Sequence, residues 1–284
     1  MIYGILYIAK YVLGRDQAGR NFAVFPDDTM IVSYPRSGNT WTRFLIANLL
    51  HAEMDINFLN IEKLIPDTSS ISSRGLKRIS RPRFIKTHEY FDHRYPKVVY
   101  IVRDPRDVAL SYYNFQRKYR QLSDAYPLEK YIDDFLDGRF ASRGWGTWAE
   151  NVGSWMATRS QDPNFLLLRF EDLLESTQTQ VERMAKFLGA PSTPENIARA
   201  IACSSADRMR ELEKGQQNQW VATKKHRKDI PFVGDARAGN WKAKLPPSCV
   251  QRIEVTWGPL MSSLGYSLEY CKLPDNRVGD TALR

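Results

Sequence analysis

Three stretches of this 284-residue chain combine anion-binding and proton-transferring residue types at usable spacings. In the first, Tyr34-Pro35-Arg36-Ser37-Gly38-Asn39-Thr40-Trp41, small residues follow an apolar run at 30–33 and precede Phe44, Leu45, Leu49 and Leu50 at helical spacing. Such a strand–loop–helix junction turns successive backbone N–H groups, and the positive end of the helix, on one oxyanion. Arg36 adds a fixed charge. In the second, Arg103 ends the apolar run 98–102, Pro105 suits the first turn of a helix, and Ser111 lies about two turns along it. Arg103 therefore stands at the carboxyl end of a strand, where open α/β sheets bind ligands, with Asp107 as its alternative partner. In the third, Arg83-Phe84-Ile85-Lys86-Thr87-His88 reads as a short strand ending in a histidine. A histidine titrates near neutrality, so His88 is the candidate general base for an acceptor hydroxyl.

Other readings of these residues are weaker. A Walker A loop needs Gly-x-x-x-x-Gly-Lys-Ser/Thr, and here Asn39 stands where the lysine would be. His88 and His93 are five apart, which on a helix turns the second about 140° away from the first, so no metal site is expected.

The first stretch resembles the 5′-phosphosulfate loop of sulfotransferases that use 3′-phosphoadenosine 5′-phosphosulfate (PAPS), with Arg36 where that family usually has lysine. The resemblance runs over roughly residues 28–245. It implies a P-loop-like nucleotide-binding core in which Arg36, Ser37, Gly38, Asn39 and Thr40 hold the 5′-phosphate and Arg103 and Ser111 grip the 3′-phosphate. It implies that His88 is the catalytic base, with Lys86 and Arg36 neutralising charge on the sulfuryl group. Phe170 replaces a family tyrosine that frames the adenine, and Trp41 matches its opposite face, although either ring can equally be core. Cys203-Ser204-Ser205-Ala206-Asp207-Arg208-Met209 resembles the family's Thr-Ser-Phe-x-x-Met segment and places Ser204 near the adenine. Residues 232–242 resemble Arg-Lys-Gly-x-x-Gly-x-Trp-Lys in their second half only. The Arg-Lys pair is replaced by Gly234-Asp235, which leaves Arg237, with Ala238 and Gly239, to meet the 3′-phosphate.

The elements that must position these residues alternate strand and helix, which predicts an α/β fold: one domain with a mostly parallel central sheet flanked by helices. At 43% hydrophobic content the chain can bury a full core over residues 28–284, with residues 1–27 as an N-terminal segment packed on it. Residues 1–14 are apolar but too short to span a bilayer, so packing on the domain or peripheral membrane contact is expected of them, and no signal peptide. Cys203, Cys249 and Cys271 form no close pair, which points to a reducing, cytoplasmic setting. The aromatics of 116–148 and the basic stretch 69–83 are candidates for an acceptor pocket, and 215–228 for a lid.

The function expected is sulfuryl transfer from PAPS, leaving adenosine 3′,5′-bisphosphate (PAP), to a hydroxyl or amine of a small-molecule, lipid or sugar acceptor. No metal or nucleic acid is expected. The alternatives are a Mg²⁺–ATP-dependent small-molecule kinase and, using the net charge of +9, a nucleic-acid binder. Val250 and Glu254 are a fragment of a family dimer motif, too small to assign an oligomeric state.

Overall fold

The computed structural model describes residue 13, residues 18–142 and residues 144–271. Four strands, β1 (Thr29–Ser33), β2 (Phe84–Thr87), β3 (Lys97–Val102) and β4 (Phe165–Arg169), form one sheet in the order β2-β1-β3-β4, every neighbouring pair parallel. The α/β architecture expected from the sequence is the one found. Parallel neighbours require crossovers, and these carry helices to both faces. The helices that matter for the site are α1 (Asn39–Leu50), α2 (Pro105–Lys118), α3 (Trp148–Arg159), α4 (Phe170–Glu175), α5 (Thr177–Leu188), α6 (Pro194–Cys203), α7 (Ala206–Gln216) and α8 (Pro247–Ser263).

The middles of β1, β3 and β4 are apolar because alternate side chains enter different cores, whereas β2 carries Lys86 and Thr87. Met30, Val32, Val98, Tyr100 and Val102 pack with residues of α2, α3 and α8. Ile31, Val99, Ile101, Leu166 and Leu168 pack on the other face with residues of α1, α5 and α6. Ala18 and Phe22 join the first of these cores, and Ala18 N–H donates to Ile71 O at 2.9 Å. Residues 1–14 lie outside the described residues except for Leu13, and so does the expected membrane contact. Among the described residues no helix is long and apolar enough to cross a membrane.

From β1 the chain goes to β2 on one side and then to β3 on the other, so the direction of winding reverses between β1 and β3. Loops diverge at such a point and leave a crevice at the carboxyl ends of the strands. The loop after β1, Arg103 after β3 and His88 after β2 all leave the sheet there.

A buried polar cluster pins the C-terminal segment. Arg106 pairs with Asp104 at 2.7 Å and Glu254 at 2.6 Å, and Glu254 also accepts the N–H groups of Glu269, Tyr270 and Cys271. Val250 is 2% and Glu254 0% exposed, so both are spent inside the fold and not on a dimer surface.

Candidate active site

The loop after β1 carries two left-handed residues, Arg36 at φ 69° and Gly38 at φ 99°. These turns direct the chain back over the sheet edge and into α1. No side chain caps α1, and Thr42 N–H, bound to Gly38 O at 3.1 Å, is its first amide to find a carbonyl. The N–H groups of Gly38, Asn39, Thr40 and Trp41 have no hydrogen-bond partner among the described residues. Ser37 is fully buried with its Oγ also unpartnered. Donors left open at a helix N-terminus are the chemical complement of a phosphate. Asn39 is no part of that donor set through its side chain: its Nδ2 donates to Ile31 O at 3.3 Å and Ser33 Oγ at 3.2 Å, tying the loop to β1.

A cavity of about 1010 Å³ opens over this loop. Of the expected site residues, Arg36, Gly38, Asn39, Thr40, Trp41, Lys86, His88, Arg103, Ser111, Phe170 and Arg237 lie on its wall. Ser37, Ser204, Ala238 and Gly239 do not. Ser204 is buried and accepts from Asn48 Nδ2 at 3.1 Å, holding α6 to α1. Its neighbours Ser205 and Ala206 reach the wall instead. Gly239 turns at φ 76° and donates its N–H to Asp107 Oδ2 at 2.7 Å, which makes it a hinge of the wall and not a lining group.

Arg36 and Ser111, expected at opposite ends of a nucleotide, are joined. Arg36 Nε donates to Ser111 Oγ at 3.1 Å and Nη2 to Phe232 O at 3.0 Å, with its guanidinium over the Phe115 and Phe232 rings. The planar guanidinium donates in two fixed directions and stacks flat on the rings, a geometry that the compact ammonium of a lysine does not offer. Burial lowers the Arg36 pKa to about 10, which leaves it cationic at neutral pH.

Arg103 takes the alternative partner that the sequence offered. It pairs with Asp107 at 3.7 Å and also donates to Arg36 O at 3.3 Å and Arg237 O at 3.1 Å, while its Nε stays buried and unpartnered. Asp107 accepts Trp241 N–H as well as Gly239 N–H, so α2 fixes the turn that presents Arg237. The Arg237 side chain is exposed and has no ion-pair or hydrogen-bond partner among the described residues. Phe170 stacks under Arg103 at 4.3 Å and meets Trp41 edge-on at 5.9 Å, giving an aromatic shelf beside the loop.

Lys86 and His88 are two residues apart at the end of β2, so both turn to the cavity side while Thr87 turns away. His88 Nδ1 lies 2.7 Å from Ser33 O. A carbonyl only accepts, so Nδ1 carries the proton and Nε2 keeps the lone pair. Burial, with Lys86 adding to it, depresses the His88 pKa to about 3. The ring is therefore neutral and in one tautomer, with Nε2 unprotonated. The Lys86 ammonium lies 2.5 Å from Asp67 Oδ2, an acid that sequence reading did not single out.

The segment 219–233 closes one side of the cavity. Lys118 donates to Arg227 O at 2.8 Å and Ile230 O at 2.6 Å; Glu213 accepts Phe232 and Val233 N–H; His226 stacks on Tyr119 at 3.8 Å. The acceptor-pocket expectation divides. Tyr119, Trp145, Ser69 and Ser70 line the cavity, whereas Tyr131, Phe135 and Trp148 are core and Arg83 is buried against Asp28 at 2.5 Å.

A family profile described as "Sulfotransferase domain" matches residues 26–265. Mouse "Sulfotransferase 1B1" is 26% identical over 95% of this chain and 94% of its own length. Human "Sulfotransferase 4A1" is 27% identical over 93% of this chain and 90% of its own. Among solved structures, mouse sulfotransferase SULT7A1 complexed with PAP superposes with a TM-score of 0.68 at 22% identity, covering 86% of this chain and 87% of that one. Retinol dehydratase in a complex with retinol and PAP gives 0.69 at 22% identity, covering 92% and 88%. These structures share the fold, and the profile extends from the strand that precedes the phosphate loop to the turn that follows α8. The chain belongs to the sulfotransferase family.

Proposed function

We propose that this protein moves the sulfuryl group of PAPS to a hydroxyl or amine of a small acceptor, with lipids and sugars included in that class. The observation that carries the reading is that a neutral histidine with its Nε2 lone pair free and a set of unpartnered helix amides open into one cavity. PAPS supplies an already activated sulfuryl group with a nucleoside bisphosphate leaving group. The amides of residues 38–41 hold the 5′-phosphate. Arg103, Ser111 and Arg237 take the 3′-phosphate, and Trp41 and Phe170 flank the base. His88 removes the acceptor proton at Nε2 while the cations of Arg36 and Lys86 face the oxygens on which charge builds. Charge prepositioned on the wall of a protein cavity is worth more than the same charge in solvent.

A cytoplasmic setting fits three free cysteines, of which Cys203 is exposed. The acceptor enters past Ser69, Ser70, Tyr119 and Trp145, a mixed polar and aromatic wall. The test is a thermal shift with PAP against ADP and Mg²⁺–ATP at matched ionic strength. Stabilisation specific to PAP is expected; preference for Mg²⁺–ATP would replace the reading with a kinase.

A further inference from the structure

We propose that Asp67 is a positioning residue for sulfuryl transfer: it fixes the Lys86 side chain beside His88, in the orientation from which the ammonium meets the transferred group. The inference rests on the PAPS reading above. The Lys86 side chain has four rotatable bonds, and among the described residues its ammonium has a single hydrogen-bond partner, Asp67. Left alone, such a side chain would sample many rotamers or leave the cavity wall.

Asp67 is itself held from four directions. It is the register partner of Lys86 in a parallel bridge that extends the sheet beyond β2, with Lys86 N–H donating to Pro66 O at 2.8 Å and Thr68 N–H to Lys86 O at 3.0 Å. The carboxylate divides its two oxygens. Oδ1 accepts Ser69 N–H at 2.8 Å and Ser69 Oγ–H at 2.7 Å, and Oδ2 takes Lys86 at 2.5 Å. Behind it, Asp67 N–H donates to Glu62 Oε2 at 3.4 Å, and Glu62 is paired with Arg43 at 3.1 Å. Arg43 belongs to α1, so the helix that carries the open amides also braces the acid that holds Lys86.

The electrostatics agree with the geometry. Burial works against the charged forms of both partners. At Asp67 the cations Lys86 and Arg43 outweigh it and hold the carboxyl well below the usual carboxylate range. At Lys86 burial lowers the pKa and Asp67 opposes that fall. Without Asp67 the amine loses both its anchor and the charge that keeps it protonated in a buried place. A displaced or neutral Lys86 would no longer face the sulfuryl oxygens, and PAP, which lacks that group, would not register the change.

The experiment is calorimetric titration of PAPS and of PAP into wild type, Asp67→Asn, Lys86→Ala and the double variant. Asp67→Asn keeps the shape and the Ser69 contacts and removes the charge. It should weaken PAPS about tenfold while PAP stays within about twofold, and it should add nothing in the Lys86→Ala background. Equal weakening of both ligands would reduce Asp67 to a structural role and overturn the proposal, as would an unchanged PAPS-to-PAP ratio or a full effect in the absence of Lys86. Wild-type protein that binds neither ligand would instead overturn the PAPS reading itself.

Discussion

Gly38→Ala is the substitution whose cost the structure defines best. Gly38 precedes α1 at φ 99°, ψ 9°, and an added Cβ would stand 2.5 Å from Phe170 Cδ2 and 3.0 Å from Cε2. Two penalties follow from different causes. A non-glycine residue in left-handed backbone costs about 1–2 kcal/mol. The second is steric: Phe170 is 5% exposed and pinned between Trp41 and Arg103, so moving its ring resembles overpacking a core, about 1–3 kcal/mol. The sum is roughly 2–5 kcal/mol, and at about 2–4 °C per kcal/mol for a chain of this size the melting temperature should fall by about 10 °C. PAP affinity should fall too, because the same shift displaces the amides of 38–41 and the aromatic shelf. Calorimetry on Gly38→Ala, Phe170→Leu and the double variant separates the causes. With the ring removed only the backbone part should remain, about 1–2 kcal/mol. A melting temperature unchanged within about 2 °C, or the same penalty in both backgrounds, would refute the account of why glycine stands at this turn.

Two further outcomes test the charges of the site. His88 titrates near 3 in the folded chain and near 6.5 when unfolded, so as pH falls from 6.5 the unfolded state binds a proton that the native ring refuses. That part of the stability is present above pH 6.5 and is lost on the way down to pH 3. Denaturant melts should show wild type losing about 1.5 kcal/mol more than His88→Asn between pH 6.5 and 5; parallel losses would mean a normally titrating, solvated ring. Arg237→Ala should raise the Kd for PAP about tenfold, the scale of one hydrogen bond to a charged group, and leave adenosine 5′-monophosphate unaffected. Equal PAP affinity in the two proteins would remove Arg237 from the 3′-phosphate site.

How much of this was legible in the sequence follows from the range of the interactions involved. β1, β3 and β4 announce themselves because they are largely apolar on both faces, and the phosphate loop because its donors are consecutive amides of one segment, Gly38 to Trp41. Lys86 and His88 were legible for the same reason: period-two geometry puts them on one side of one strand. What was missed depends on partners far apart in the chain. Asp67 pairs with Lys86 across 19 residues, through a bridge too short to leave a strand pattern. Ser204 illustrates the opposite error. Its motif is local and readable, but its hydroxyl is consumed by Asn48, 156 residues away, and the neighbouring Ser205 takes the cavity. The stretch after α7, expected from the sequence as a lid, is the hardest case, because its composition carries no trace of what holds it. Its position is set by carbonyls accepting from Lys118 and by amides donating to Glu213, both on helices whose patterns suggest only ordinary solvent-facing charges. Lys118 and Glu213 are 0% and 6% exposed, and they are tolerable inside the protein because they pair with each other at 3.8 Å and the loop supplies their remaining polar partners. The loop and the two buried charges therefore specify one another, a condition that exists in three dimensions and has no signature in one.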